Sequence, residues 1–86
     1  MEDVLRRIPG VLDVAVIGVP DEIAGELPRA YVVKKEGISL SKENINEFVD
    51  SRVSHHKRLK GGVVFLDAIP KNATGKILRR ELKNLL

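Results

Sequence analysis

The run Leu12-Asp13-Val14-Ala15-Val16-Ile17-Gly18-Val19 constrains the fold of this chain more than any other stretch. It is dense in β-branched residues and places apolar side chains at both odd and even positions, the pattern of a strand buried on both faces. Such a strand needs packing partners above and below it. Ala30-Tyr31-Val32-Val33-Lys34 reads as a second strand and Val63-Val64-Phe65-Leu66 as a third. Three helical stripes supply the cover: Val4, Leu5 and Ile8; then Ile45, Phe48, Val49 and Val53; then Leu78, Leu82 and Leu85.

Local signals mark the boundaries. Glu2 and Asp3 open the first helix and Arg6 and Arg7 close it, as the helix dipole favours, and Pro9-Gly10 stops it. Residues 20–28 are polar and bounded by prolines, so they are expected to form a surface loop, too long for a tight hairpin turn. Ser41 reads as an N-cap with Glu43 in the first turn, whereas Asn44 at the third position leaves the capping box incomplete. The second helix is expected to run to about His55 or Lys57, and Gly61-Gly62 breaks the chain before the third strand. The order is helix-strand-strand-helix-strand-helix, an α+β fold with a small mixed three-stranded sheet covered by three helices. The right-handed crossover makes strands two and three parallel, the first two are expected to be antiparallel, and strand one is expected in the middle.

At 86 residues the chain is one small domain with a single modest core, expected to be a monomer. Tyr31, Phe48 and Phe65 are its only aromatic residues, so Val, Ile and Leu must fill that core. There is no cysteine, hence no disulfide framework, cysteine-based metal site or thiol nucleophile. Asp21 and Glu22 have no histidine or third carboxylate at metal-ligand spacing, so no metal is expected. No apolar run approaches the roughly 18 residues of a membrane span, and no signal-peptide core opens the chain. The ending Asn84-Leu85-Leu86 is not a Ser-Lys-Leu address, and the expected location is intracellular, cytoplasmic or peroxisomal.

The net charge of +3 is small, but its distribution is uneven. Lys57, Arg58, Lys60, Lys71, Lys76, Arg79, Arg80 and Lys83 crowd the second half, a cluster suited to a nucleotide, a nucleic acid or an acidic surface. A solvated helix end with basic residues near its free carbonyls accounts for Lys57, Arg58 and Lys60. His56 falls near the apolar stripe as a packed or capping residue, and His55 points to solvent. Lys76, Arg79, Arg80 and Lys83 recur at helical spacing opposite the leucines. Lys76 follows the small polar stretch Asn72-Ala73-Thr74-Gly75, expected to be mobile, and is expected to open the last helix. A cation there is disfavoured by the helix N–H groups unless an anion meets both. A nucleotide P-loop is excluded, because Pro70 stands at its first glycine and Ile77 at its Ser/Thr position.

Pro70-Lys71-x-x-x-Gly75-Lys76-Ile77, closing a strand and opening a basic helix, resembles the last core motif of the adenylate-forming enzymes. That family includes acyl-CoA synthetases, 4-coumarate–CoA ligases, beetle luciferases and peptide-synthetase adenylation domains. Pro9-Gly10-Val11, Asp13-Val14-Ala15-Val16, Gly18-Val19-Pro20-Asp21 and Gly25-Glu26-Leu27-Pro28 are similar to the start of the family's C-terminal subdomain. His56-Lys57-Arg58-Leu59-Lys60 and Gly61-Gly62-Val63-Val64-Phe65 extend the match toward the luciferase and coumarate-ligase branch.

The resemblance implies that residues 1–86 are the C-terminal lid of a longer chain whose large N-terminal domain and hinge lie outside it. It implies ATP with Mg and CoA as the full-length enzyme's cofactors, a small-molecule carboxylic acid as substrate, and nothing bound to this chain alone. Lys76 would be the catalytic lysine of the adenylation half-reaction. Lys57, Arg58 and Lys60 would meet the CoA phosphates, and Gly25, Glu26, Thr74 and Gly75 would lie at the domain interface. Two other classes stay open: the lid of a luciferase-type adenylating oxygenase, and a small basic nucleic-acid-binding or interaction module. Against nucleic acid, the basic stripe lacks interleaved aromatics, a KH-type Gly-x-x-Gly loop and the RNP aromatic pattern.

Overall fold

The computed structural model describes residues 2–23, 25–53 and 58–85. Its elements are α1 (Glu2–Arg6), β1 (Val11–Asp21), β2 (Gly25–Lys34), α2 (Lys42–Asp50), β3 (Val63–Phe65) and α3 (Arg79–Lys83). The α+β order read from the sequence is the order observed. β1 and β2 are antiparallel and β2 and β3 parallel, in one mixed three-stranded sheet.

The strand order is β1-β2-β3, which corrects the expectation that the first strand is central. The hairpin occupies one side of β2, and the crossover through α2 lays β3 on the other, so successive strands are neighbours throughout. Ala30, Tyr31, Val32 and Val33 are accordingly all buried.

The sheet is covered on both faces, and side chains alternate between them along each strand. Val14, Ala30, Val32 and Val63 face α1 and α2, packing with Leu5, Ile8, Ile45 and Val49. Ala15, Ile17, Val19, Tyr31 and Val33 face the other way, onto Ile69 and Leu82. The Tyr31 hydroxyl reaches the Leu82 carbonyl at 3.4 Å, tying α3 to the central strand.

Three boundaries differ from the sequence reading. Residues 20–21 and 25–28 belong to the strands, not to a loop: strand pairing runs out to Pro20↔Glu26 and Asp21↔Gly25. Pro20 is tolerated because β1 is an edge strand. Pro28 lies short of the β3 pairing, where its carbonyl accepts the Gly61 N–H at 2.8 Å. The capping box of α2 is complete, since Asn44 accepts the Ser41 N–H at 3.1 Å and returns its own N–H to Ser41 Oγ at 3.1 Å. The α2 helix ends at Asp50 with Ser51 as C-cap, earlier than expected; His55, His56 and Lys57 lie outside the described residues.

Candidate functional site around Lys76

The chain leaves the sheet after β3 and passes Ile69, buried in the α3-side core. It then doubles back on itself. The Pro70 carbonyl accepts the Leu78 N–H at 2.9 Å, and Lys71 and Ile77 form an antiparallel bridge. Asn72 donates its N–H to the Lys76 carbonyl at 3.0 Å. Ile77 packs on the same core as Leu82, so this miniature hairpin stands on an apolar foot while residues 71–76 are exposed.

Asn72 closes the turn. Its Oδ1 accepts the Thr74 N–H at 3.0 Å, the Thr74 hydroxyl at 2.7 Å and the Lys76 N–H at 2.9 Å. Its backbone carbonyl accepts the Gly75 N–H at 3.0 Å. Gly75 has φ +85°, in the left-handed region that glycine enters without a Cβ penalty.

This turn corrects the expectation from the sequence that Lys76 opens the last helix. α3 begins at Arg79, after an N-cap Leu78 that makes no side-chain cap bond. Lys76 sits at the rim of a hydrogen-bonded turn, and among the described residues its ammonium forms no ion pair. Thr74 and Gly75 share that turn with it.

The base of the turn is electrostatically anchored. Lys71 Nζ meets Asp13 Oδ2, and Asp13 Oδ1 accepts from Arg6 at 3.4 Å and from the Val14 N–H at 2.9 Å. Burial pushes the Asp13 carboxyl up, but the Lys71 and Val14 hydrogen bonds and the Lys71 and Arg6 charges outweigh it and hold it below the usual range.

Beside this anchor lies a second one. Glu2 accepts the Val16 N–H at 2.7 Å and pairs with Arg79, which also donates to the Val16 carbonyl at 2.6 Å. Glu2 too is pushed up by burial and held lower overall by Val16, Arg79 and Arg6. The continuous basic stripe expected on the last helix is thus broken: Lys76 is off the helix and Arg79 is turned onto the sheet edge.

The other candidate residues lie elsewhere. Gly25 and Glu26 are in the β1–β2 hairpin; the Glu26 carboxylate crosses Gly18 and lines a groove of about 490 Å³ with Glu2, Arg79 and Lys83. Arg58 and Lys60 lie beside α2, where Arg58 Nε is 3.5 Å from Asp50 Oδ1. Lys57, the third residue of that cluster, is outside the described residues. Among the described residues no group of three or more His, Cys, Asp or Glu could hold a metal, and no helix is long and apolar enough to cross a membrane.

The residues missed from the sequence are Asn72, Asp13 and Glu2. Asn72 carried a usable signal, because Asn followed two positions later by Thr favours a side-chain-closed turn. Glu2 and the Asp13–Lys71 pair carried none, since Val16, Arg79 and Lys71 are remote in sequence from the carboxylates that they meet.

Residues 1–76 match the family model described as the AMP-binding enzyme C-terminal domain. A phenylacetyl-CoA ligase of Aspergillus niger is 54% identical over 85 residues, which cover 98% of this chain and 16% of that protein. A luciferin 4-monooxygenase of Nipponoluciola cruciata is 45% identical over 86 residues, 100% of this chain and 16% of that protein. The solved structure of ATP-bound MatB from Rhodopseudomonas palustris superposes with a TM-score of 0.92 at 31% identity, covering 98% of this chain and 16% of that one. The chain therefore spans about one sixth of the length of these relatives.

Proposed function

The chain belongs to the AMP-binding enzyme C-terminal domain family of adenylate-forming enzymes, and from that membership we propose that it is the C-terminal lid of an ATP-dependent acyl-CoA ligase. The reaction is acid plus ATP plus CoA to acyl-CoA, AMP and pyrophosphate. Similarity to a phenylacetyl-CoA ligase supports the ligase outcome, and similarity to an ATP-bound structure supports the nucleotide. The observation that carries the proposal is the exposed Lys76, without an ion-pair partner among the described residues, on a turn rooted in the sheet.

In the first half-reaction the substrate carboxylate oxygen attacks the α-phosphorus of ATP and pyrophosphate leaves. As the carboxylate gives up its charge to the new bond, negative charge builds on the non-bridging α-phosphate oxygens and on the departing pyrophosphate. An ammonium held beside them, on a long stem and away from competing carboxylates, stabilises that charge more than it stabilises the ground state. Lys76 has those properties. Magnesium would accompany the triphosphate in the large domain of the same polypeptide.

In the second half-reaction the CoA thiolate attacks the acyl carbon and AMP leaves. Arg58 and Lys60, with Lys57, are the cations proposed to meet the CoA phosphates. Asp50 opposite Arg58 limits the excess positive charge there to the lysines. Gly25, Glu26, Thr74 and Gly75 are proposed to face the large domain.

A luciferase-type lid is the second reading, favoured by the similarity to a luciferin 4-monooxygenase. It uses Lys76 in the same way and differs only after the adenylate has formed. A nucleic-acid surface is disfavoured by the diversion of Arg79 onto Glu2 and Val16.

The test is acid-dependent pyrophosphate release by the full-length protein with and without this segment. Removal is expected to lower the rate at least a hundredfold, and an unchanged rate would overturn the proposal.

A further inference from the structure

Asn72 is exposed, carries no charge and has no chemistry of its own, yet three donors converge on its one carboxamide oxygen. Two of them, the Thr74 and Lys76 N–H groups, would otherwise turn to solvent. The third, the Thr74 hydroxyl, orients a side chain that flanks the glycine step. Two backbone bonds, Asn72 N–H to the Lys76 carbonyl and Gly75 N–H to the Asn72 carbonyl, close the same ring of residues. Such a ring fixes the Cα from which the Lys76 stem departs. A lysine stem has four rotatable methylenes, so the ammonium samples a narrow region only when its point of origin and initial direction are set.

We propose that Asn72 is a positioning residue for Lys76, its carboxamide oxygen holding the backbone so that the ammonium reaches the adenylation site in one geometry. This rests on the reading of Lys76 as the adenylation lysine. A purely structural Asn72 would support the fold as a whole and affect both half-reactions alike. A positioning Asn72 affects only the one in which Lys76 acts, and it lowers kcat more than it raises KM, because the lysine works mainly in the transition state. Misplacement by about 1 Å costs up to about a hundredfold in rate, and partial loss of the turn is expected to cost about tenfold.

The experiment uses the full-length protein with Asn72→Ala, Asn72→Asp, Lys76→Ala and the double variant Asn72→Ala/Lys76→Ala. Hydrogen exchange over residues 72–77 is measured alongside the two half-reactions. Asn72→Ala is expected to speed exchange of the Thr74 and Lys76 amides. It should lower the adenylation kcat about tenfold with little change in the KM for ATP, and leave thioester formation from supplied adenylate within about twofold. Asn72→Asp keeps the acceptor oxygen and is expected to restore both slow exchange and most of the rate. The double variant should be no slower than Lys76→Ala alone, because the positioned group is already gone. Parent-like adenylation in Asn72→Ala, equal losses in both half-reactions, or multiplicative losses in the double variant would overturn the proposal while leaving Lys76 in place. A parent-like rate in Lys76→Ala would instead overturn the reading on which it rests.

Discussion

Arg79 reaches across the free edge of β1 to Glu2, its Nη2 3.2 Å from the carboxylate while its Nη1 lies 2.6 Å from the Val16 carbonyl. Glu2 in turn accepts the Val16 N–H, so one edge residue has both backbone groups satisfied by side chains from opposite ends of the chain. This blunts an edge that another strand could otherwise extend. Glu2→Ala is expected to cost about 1–2 kcal/mol, read from the urea midpoint at constant slope. Arg79→Ala added to it should cost less than it costs alone, because the ion pair is already gone and only the bond to the Val16 carbonyl is left to lose.

Acid should weaken the chain through the same groups. Glu2 and Asp13 are both held below their ordinary values in the fold. For a depressed carboxylate the native state binds fewer protons than the unfolded state, so its stabilisation is complete above the unfolded pKa, roughly pH 4, and is lost as pH falls through the lower folded value. Urea midpoints should therefore be level near neutrality and fall below about pH 5. The fall should be shallower in Glu2→Gln and Asp13→Asn. An identical acid profile in those variants would show that other groups set it.

Gly61 tests the packing of the crossover onto the sheet. A Cβ there would lie 2.8 Å from the Pro28 carbonyl oxygen and 2.8 Å from a Val19 methyl. The Gly61 carbonyl also accepts from Arg29 at 2.7 Å, which holds the backbone in place. Gly61→Ala is expected to destabilise by about 1–3 kcal/mol, measured by thermal unfolding. Ala at the neighbouring Gly62 would meet no side chain or backbone, but its φ of +98° would be strained.

Leu82 and Leu85 separate core from surface on the last helical segment. Leu82 is 0% exposed beneath Tyr31, whereas Leu85, expected on the same apolar face, is 56% exposed. Leu82→Ala is expected to cost about 2–5 kcal/mol and Leu85→Ala less than about 0.5. Comparable losses would place Leu85 in the core after all.

Much of this was legible in the chain itself. The two-sided burial of β1 follows from the unbroken apolar run at 14–19, and the helix-strand order from stripes such as Ile45 and Val49. Lys76 stands out as a candidate through the resemblance of Pro70-Lys71-x-x-x-Gly75-Lys76-Ile77 to the family's last core motif. What was not legible depends on remote contacts or on polar residues acting structurally. Pro20, Pro28 and the polar residues between them hid the outer half of a long hairpin. The strand order was misjudged because burial of β1 on both faces does not distinguish an edge strand from a central one. Asn44 completes a capping box with a shorter side chain than the usual Glu or Gln. Arg79 has the helical spacing of a solvent stripe, and only the distant Glu2 turns it onto the sheet. At the site, composition marked residues 72–76 as small and polar, but the convergence of donors on Asn72 is a property of the folded turn.

The central claim is that Lys76 acts in adenylation and not in thioester formation. The direct measurement is Lys76→Ala in the full-length protein, with pyrophosphate release assayed for the first half-reaction and CoA consumption from synthetic adenylate for the second. The first should slow by roughly 10²–10³-fold, about 3–4 kcal/mol, while the second stays within a few-fold of the parent. Equal losses in both, or an unchanged first half-reaction, would contradict it.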